Sequence, residues 1–183
     1  MVEVKKTFIP GLLVIEPKVF GDDRGYFLET YNAPEFKQKG VPYDFVQDNE
    51  SRSSKGVLRG LHYQIHHPQA KLVRVIEGEV FDVAVDLRKN SPTYGKSFGI
   101  HLSGENKTML LIPRGFAHGF LVLSERATFA YKCDDVYHPN DEGGLMWNDP
   151  SLDIPWPIEG EPILSEKDRH HPTLKENPIC FDL

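Results

Sequence analysis

Three histidines, two arginines and a lysine fall within one short stretch, LRGLHYQIHHPQAKLVRV at 58–75. Such residues can do three kinds of work. Imidazoles can ligate a metal, a histidine held by a carboxylate can move protons, and guanidinium forks can grip phosphate oxygens. The metal reading draws support from PRGFAH at 113–118, the P-x-G-x-x-H half of a metal-binding jelly-roll barrel. Its other half is missing, because Gln64 stands two positions after His62 where a second histidine is needed. His66 and His67 sit beside Pro68 in an expected loop and read as solvated bystanders. No metal is expected, and a metal-dependent cupin enzyme is kept as the competing hypothesis.

Proton transfer is the second kind of work. His62 lies among aromatic and aliphatic neighbours on a strand, where burial and a carboxylate can tune it as a base. Tyr131 shares a strand face with Phe129 and Ala127, so it can oppose His62 as an acid from another wall. Lys71 can supply positive charge where an enolate oxygen develops. The same residues can also be read as a hydrogen-bonded core histidine and an amphipathic core tyrosine. Arg24 sits in GDDRGYFLE near turn glycines, and Arg59 sits beside Gly60, so both suit an anion or plain solvent. Strict alternation puts Arg59 and His62 on opposite faces, unless Gly60 marks a bulge that re-aims one of them. In LSEKD at 164–168, Ser165 and Asp168 match a capping box, while the Asp168 carboxylate can instead hold His62.

The elements that must position these groups are mostly strands. EVFDVAVDL alternates, with Phe81, Val83, Val85 and Leu87 on one face and Asp82 and Asp86 on the other. SFGIHL, TMLLIP, GFLVL and ATFAYK are further short candidates, separated by turn-rich breaks. NAPEFKQKG predicts a short helix with Asn32 as N-cap and Gly40 as stop. The Pro-rich stretch from about 148 should be irregular and wrap the body. The expected architecture is mainly β: one eight-stranded jelly-roll barrel over residues 1–183, cupin-like, with short peripheral helices. A net charge of −6 over 183 residues argues against nucleic-acid binding by bulk electrostatics. No apolar run is long enough to span a membrane, and the N-terminus lacks a signal-peptide core. Two cysteines, Cys133 and Cys180, form no disulfide framework, so a cytoplasmic location is expected.

Taken in order, VFGDDRGYFLETYN, FVQDNESRS, GVLRGLHYQ, KLVRVIEGEVFDVAVDLRKNSPTYG, IPRGFAHGFLVLSE, YKCDDVYHP, WNDPSLDIPWP and LSEKD resemble the dTDP-4-dehydrorhamnose 3,5-epimerases, the RmlC family. The likeness runs from about residue 8 to residue 168, and GVLRGLHYQ with IPRGFAHGF is its most specific part. It implies a cofactor-independent epimerase of a dTDP-4-keto-6-deoxy sugar in dTDP-L-rhamnose biosynthesis. By the same resemblance His62 is the base, Asp168 orients it, Tyr131 is the acid and Lys71 stabilises the enolate. The implied substrate contacts are Phe20, Arg24, Phe27, Glu29, Gln47, Asn49, Arg59, His118, Tyr137, Glu142 and Lys167. Homodimers that exchange N-terminal strands are implied too, so some contacts can come from a partner chain. An epimerase of C3 or C5 alone remains an alternative.

Overall fold

The computed structural model of the chain describes residues 1–182. The N-terminal strands β1 (Val2–Lys6) and β2 (Leu13–Pro17) pair with each other, and a separate hairpin follows, β3 (Val19–Asp22) with β4 (Gly25–Leu28). Helix α1 (Ala33–Gln38) forms as predicted. Asn32 Oδ1 accepts from the Glu35 amide at 3.2 Å, and the chain leaves through Gly40 at φ +91°. Then come β5 (Gln47–Ser54), β6 (Leu58–Gln64), β7 (Lys71–Glu77), β8 (Glu79–Asp86) and β9 (Ser97–Ser103). The last strands are β10 (Met109–Ile112), β11 (Phe116–Val122), β12 (Arg126–Cys133) and β13 (Glu142–Gly144).

Strands β5 to β12 are the eight strands of a jelly roll. One sheet carries the order β10-β7-β12-β5 and the facing sheet β6-β11-β8-β9, all antiparallel. Strands β1 and β2 extend the first sheet beyond β10, and β13 extends the second beyond β6. The expected peripheral helices reduce to α1 among the described residues, because LSEKD makes only a turn. The peripheral additions are chiefly strands.

Between the sheets lie Val73, Val75, Val80, Leu110, Phe120, Val122 and Phe129. Burying side chains of this size stabilises by about 1.5–3 kcal/mol each. A second cluster covers the outer face of the β6 sheet, where Leu61, Tyr63, Phe81, Val83 and Val85 meet Leu152, Trp156, Leu174 and Phe181. Prolines rob the C-terminal segment of backbone donors, so it packs by side chains and isolated bonds, such as Trp156 Nε1 to the Trp147 carbonyl at 2.8 Å. This cover explains β8. Phe81, Val83 and Val85 point outward beneath the segment, while Asp82 and Asp86 point into the barrel beside Val80 and Ala84, fully buried. Asp86 is satisfied there by Arg88, Ser91 and Thr93.

Candidate active site

The register of β6 against β11 brings Arg59 and His62 to one face. Phe120 opposes Arg59 and His118 opposes His62, so two steps on β11 match three on β6. Opposed residues of an antiparallel pair share a face. Phe120 and His118 both face the barrel interior, so Arg59 and His62 do as well. The extra residue is accommodated at Gly60, which has φ +115°. A Cβ there would meet the His118 carbonyl oxygen at 2.6 Å and Gly119 Cα at 2.7 Å. Only glycine fits this bulge.

The bulge also reaches the carboxylate. Asp168 Oδ1 lies 2.5 Å from His62 Nε2, and Oδ2 accepts the Gly60 amide at 3.3 Å. His171 Nε2 approaches the same Oδ1 at 3.2 Å, its ring flat against Gly144. The capping box of LSEKD forms only by half, because the Asp168 carboxylate is taken by His62. Ser165 Oγ accepts the Asp168 amide at 3.1 Å as a cap, while the Asp168 side chain turns to His62. Burial by itself would raise the Asp168 carboxyl, but hydrogen bonds from His171, His62 and Gly60 outweigh it and hold it well below the usual carboxylate range. With Asp168 ionised, the proton of neutral His62 belongs on Nε2, which leaves the Nδ1 lone pair free.

The opposite wall comes from the other sheet. Cys133 opposes Lys71 and Tyr131 opposes Val73 across β12 and β7, and the Tyr131 ring packs against the inter-sheet core. Lys71 Nζ stands 5.8 Å from the centre of the Tyr131 ring. Burial pushes the Tyr131 phenol above its ordinary value, with Arg59 pulling it part of the way back. Burial likewise lowers the Lys71 ammonium, against the counter-pull of the Asp82 carboxylate. On β5, Asn49 opposes Tyr131 and Gln47 opposes Cys133, so both line this face. Gln47 Oε1 accepts the Tyr137 amide at 2.9 Å, which hangs that exposed aromatic at the edge. Arg59 Nε reaches Ser53 Oγ at 3.1 Å. His118 sits deeper, its Nε2 2.8 Å from Asp82 Oδ2. Glu142 on β13 pairs with Lys167.

Not every expected contact is gathered here. Phe20, Arg24 and Phe27 lie on the β3–β4 hairpin, which among the described residues pairs with no other strand and leaves the two phenylalanines 50% and 69% exposed. Arg24 bonds Asp22 within its own turn, and Glu29 just beyond is exposed. Tyr26 of the same hairpin lies under Lys107, and Lys107 with Arg74 lowers its phenol. Arg74 alternates with the inward Val73 and Val75, so the hairpin lies over the outer face of the sheet, away from this chain's own His62. His66 and His67 are not simple bystanders. Their backbone amides bond the buried Asp141 carboxylate at 2.8–3.1 Å, and their Nδ1 atoms approach it at 2.7 and 3.1 Å.

Two residues escaped the sequence reading. Asp82 carried the signal of a charge alternating within an apolar strand, but alternation does not say which face is inside. Its Oδ1 is buried without a hydrogen-bond partner among the described residues. His171 carried no signal, being one of two adjacent histidines in an irregular tail. With His62 and Asp168 it forms a group able to hold a metal, the three ligand atoms lying within 4.8 Å of one another.

The chain has clear relatives. Residues 6–176 match the family described as dTDP-4-dehydrorhamnose 3,5-epimerase. A protein of that name from Methanothermobacter thermautotrophicus is 55% identical over 176 residues, covering 95% of each chain. One from Pseudomonas aeruginosa is 59% identical over 162 residues, covering 88% of this chain and 90% of its own. A crystal structure of RmlC from Legionella pneumophila, in complex with dTDP-4-keto-L-rhamnose, superposes with a TM-score of 0.93 at 52% identity, covering 96% of this chain and 94% of that one.

Proposed function

The chain belongs to the dTDP-4-dehydrorhamnose 3,5-epimerase family, and from that membership we propose how its own residues carry the reaction. It is an isomerase of dTDP-sugars, epimerising C3 and C5 of dTDP-4-dehydro-6-deoxy-D-glucose in dTDP-L-rhamnose biosynthesis. Both carbons flank the C4 ketone, so each loses its proton once the enolate oxygen is stabilised. His62 Nδ1 takes that proton, and the resulting imidazolium is held by Asp168 through Nε2–H. Lys71 faces the enolate oxygen from the opposite wall, and Tyr131 returns a proton to the other face of the carbon. Epimerisation leaves the oxidation state unchanged, so the scheme calls for no redox cofactor, and Lys71 fills the role a Lewis-acid metal would otherwise take at the enolate oxygen. The single observation that supports it best is the cross-sheet pairing of a His62–Asp168 dyad with Tyr131 and Lys71 on the facing wall.

The nucleotide is a handle whose binding energy positions the sugar. Arg59, Gln47, Asn49, Tyr137, His118, Glu142 and Lys167 serve it from within the chain. Phe20, Arg24, Phe27 and Glu29 serve the pocket of a second copy in an exchanged homodimer. The exposed aromatic hairpin, turned away from its own His62, supports this. Light scattering that returned a monomer at working concentrations would remove that part. Among the described residues no helix is long and apolar enough to cross a membrane. The free thiols Cys133 and Cys180 support a cytoplasmic location.

Incubation with the 4-keto-6-deoxyglucose nucleotide in D2O, followed by NMR, tests the chemistry. Deuterium should enter at both C3 and C5. Uptake at one carbon alone would reduce the enzyme to a monofunctional epimerase, and full exchange by His62→Asn would remove His62 as the base.

A further inference from the structure

The reaction uses one of the two imidazoles that converge on Asp168. His62 Nε2 and His171 Nε2 approach the same oxygen, Oδ1, at 2.5 and 3.2 Å, and all three ligand atoms lie within 4.8 Å of one another. We propose that these three atoms form a site for a borderline divalent cation such as Zn2+ or Co2+, and that filling it silences the base.

Two imidazoles and a carboxylate are a donor set such ions favour. Bonds of about 2.0–2.2 Å around one ion put its ligand atoms roughly 3–3.5 Å apart. The His171–Asp168 separation already meets this, so the fit asks that His62 draw back from Asp168 and that the two imidazole nitrogens, within 4.8 Å of each other, settle into the same range. The His62 side chain is 41% exposed and has room to do so. The other two ligands are held. The Gly60 amide bonds Oδ2, which leaves Oδ1 as the ligand oxygen, and the His171 ring lies against Gly144 with 10% of its side chain exposed. Such outer contacts orient ligands toward a metal.

The inhibition follows from the tautomer. A cation on His62 Nε2 takes the lone pair of that nitrogen, so its hydrogen passes through solvent to Nδ1. The imidazole stays neutral, but the nitrogen that faces the sugar now carries a hydrogen and cannot accept one. This half of the proposal rests on His62 being the base, whereas the binding half does not.

Calorimetric titration with ZnCl2 and Zn2+ inhibition of deuterium exchange test both halves on wild type, His171→Asn and His67→Asn. Asparagine keeps a donor for Asp168 but is a poor zinc ligand. Each variant is compared with its own metal-free rate, and the diphosphate chelates the cation equally in every case. Outer contacts alone are worth 10–100-fold in metal affinity, so His171→Asn should weaken both binding and inhibition by at least about tenfold, with His67→Asn resembling wild type. Equal binding by wild type and His171→Asn would overturn the site, as would loss of binding in His67→Asn alone. Zinc bound through His171 with exchange undiminished would overturn the silencing and count against His62 as base. Should His171→Asn fold poorly, Co2+ added to wild type gives a second reading. A visible absorption band displaced by Zn2+ is expected, and its absence would also overturn the site.

Discussion

Two histidine–aspartate arrangements lie within a few residues of each other, and they do different work. His62 on β6 meets Asp168, and His66 with His67 just beyond β6 meets Asp141. Both carboxylates are buried, 3% and 5% exposed, and both are held well below the usual carboxylate range. The difference lies beyond the pair. His62 lies on an inward strand face, and the facing sheet carries Tyr131 and Lys71 on its own inward face. His66 and His67 belong to a loop, their side chains 79% and 49% exposed, and their amides spend Asp141 on tying that loop to the segment before β13. A histidine–carboxylate pair is therefore no catalytic signature in itself. What faces the other nitrogen decides.

The comparison breaks first at Asp168. Asp168→Asn removes the anion that fixes the His62 tautomer, and kcat should fall by about 10²–10⁴-fold, the usual range for acid–base groups. Asp141→Asn should leave kcat within about threefold, since loop anchors away from the reacting atoms act on stability. Equal losses in the two variants would show that the distinction is false.

Tyr131→Phe tests the opposite wall. Product formation should drop by about 10²-fold, while His62 still exchanges deuterium into recovered substrate. Unimpaired turnover would leave His62 working without this partner.

Gly60→Ala sharpens the link between bulge and dyad. A left-handed position and backbone contacts under 3 Å predict a destabilisation of more than about 1 kcal/mol, read from urea unfolding, together with a lower kcat. A variant as stable and active as wild type would mean that β6 can aim His62 without the bulge.

The smallest effect concerns pH. The Asp141 carboxyl is depressed in the folded chain, chiefly by the His66 and His67 amides and imidazoles working against burial. Its contribution is complete above the unfolded value of about 3.9 and is lost as pH falls toward the folded one. Between roughly pH 5 and 2, the Tm of wild type should therefore fall more steeply than that of Asp141→Asn. Parallel slopes would deny Asp141 its share of acid stability.

Much of this was legible in the linear chain. The Asn32 cap, the Gly40 stop and the alternation of β8 are local consequences of side-chain shape and hydrogen-bonding capacity, and they form where expected. Gly60 was legible as a question, because Arg59 and His62 cannot share a face of a regular strand. Other features were not. His171 lies 109 positions from His62 in the sequence, and only the tail's path over Gly144 brings the two imidazoles together. The placement of the hairpin over the outer face depends on Lys107 and Arg74, which no local pattern connects to Tyr26.

The sequence by itself determined the strands, the turns and the residue types able to move a proton, because steric and hydrogen-bonding preferences act over a few residues. Period-two alternation gives each strand two faces and leaves open which one is inside. In β8 the C-terminal segment covers the apolar face, so Asp82 is buried toward the interior. Tertiary structure alone decided that inversion, and it alone brought His171 to the carboxylate that His62 meets. The physical reason is the same in both cases. Burial is a property of what packs against a strand, and the packing partners come from distant parts of the chain.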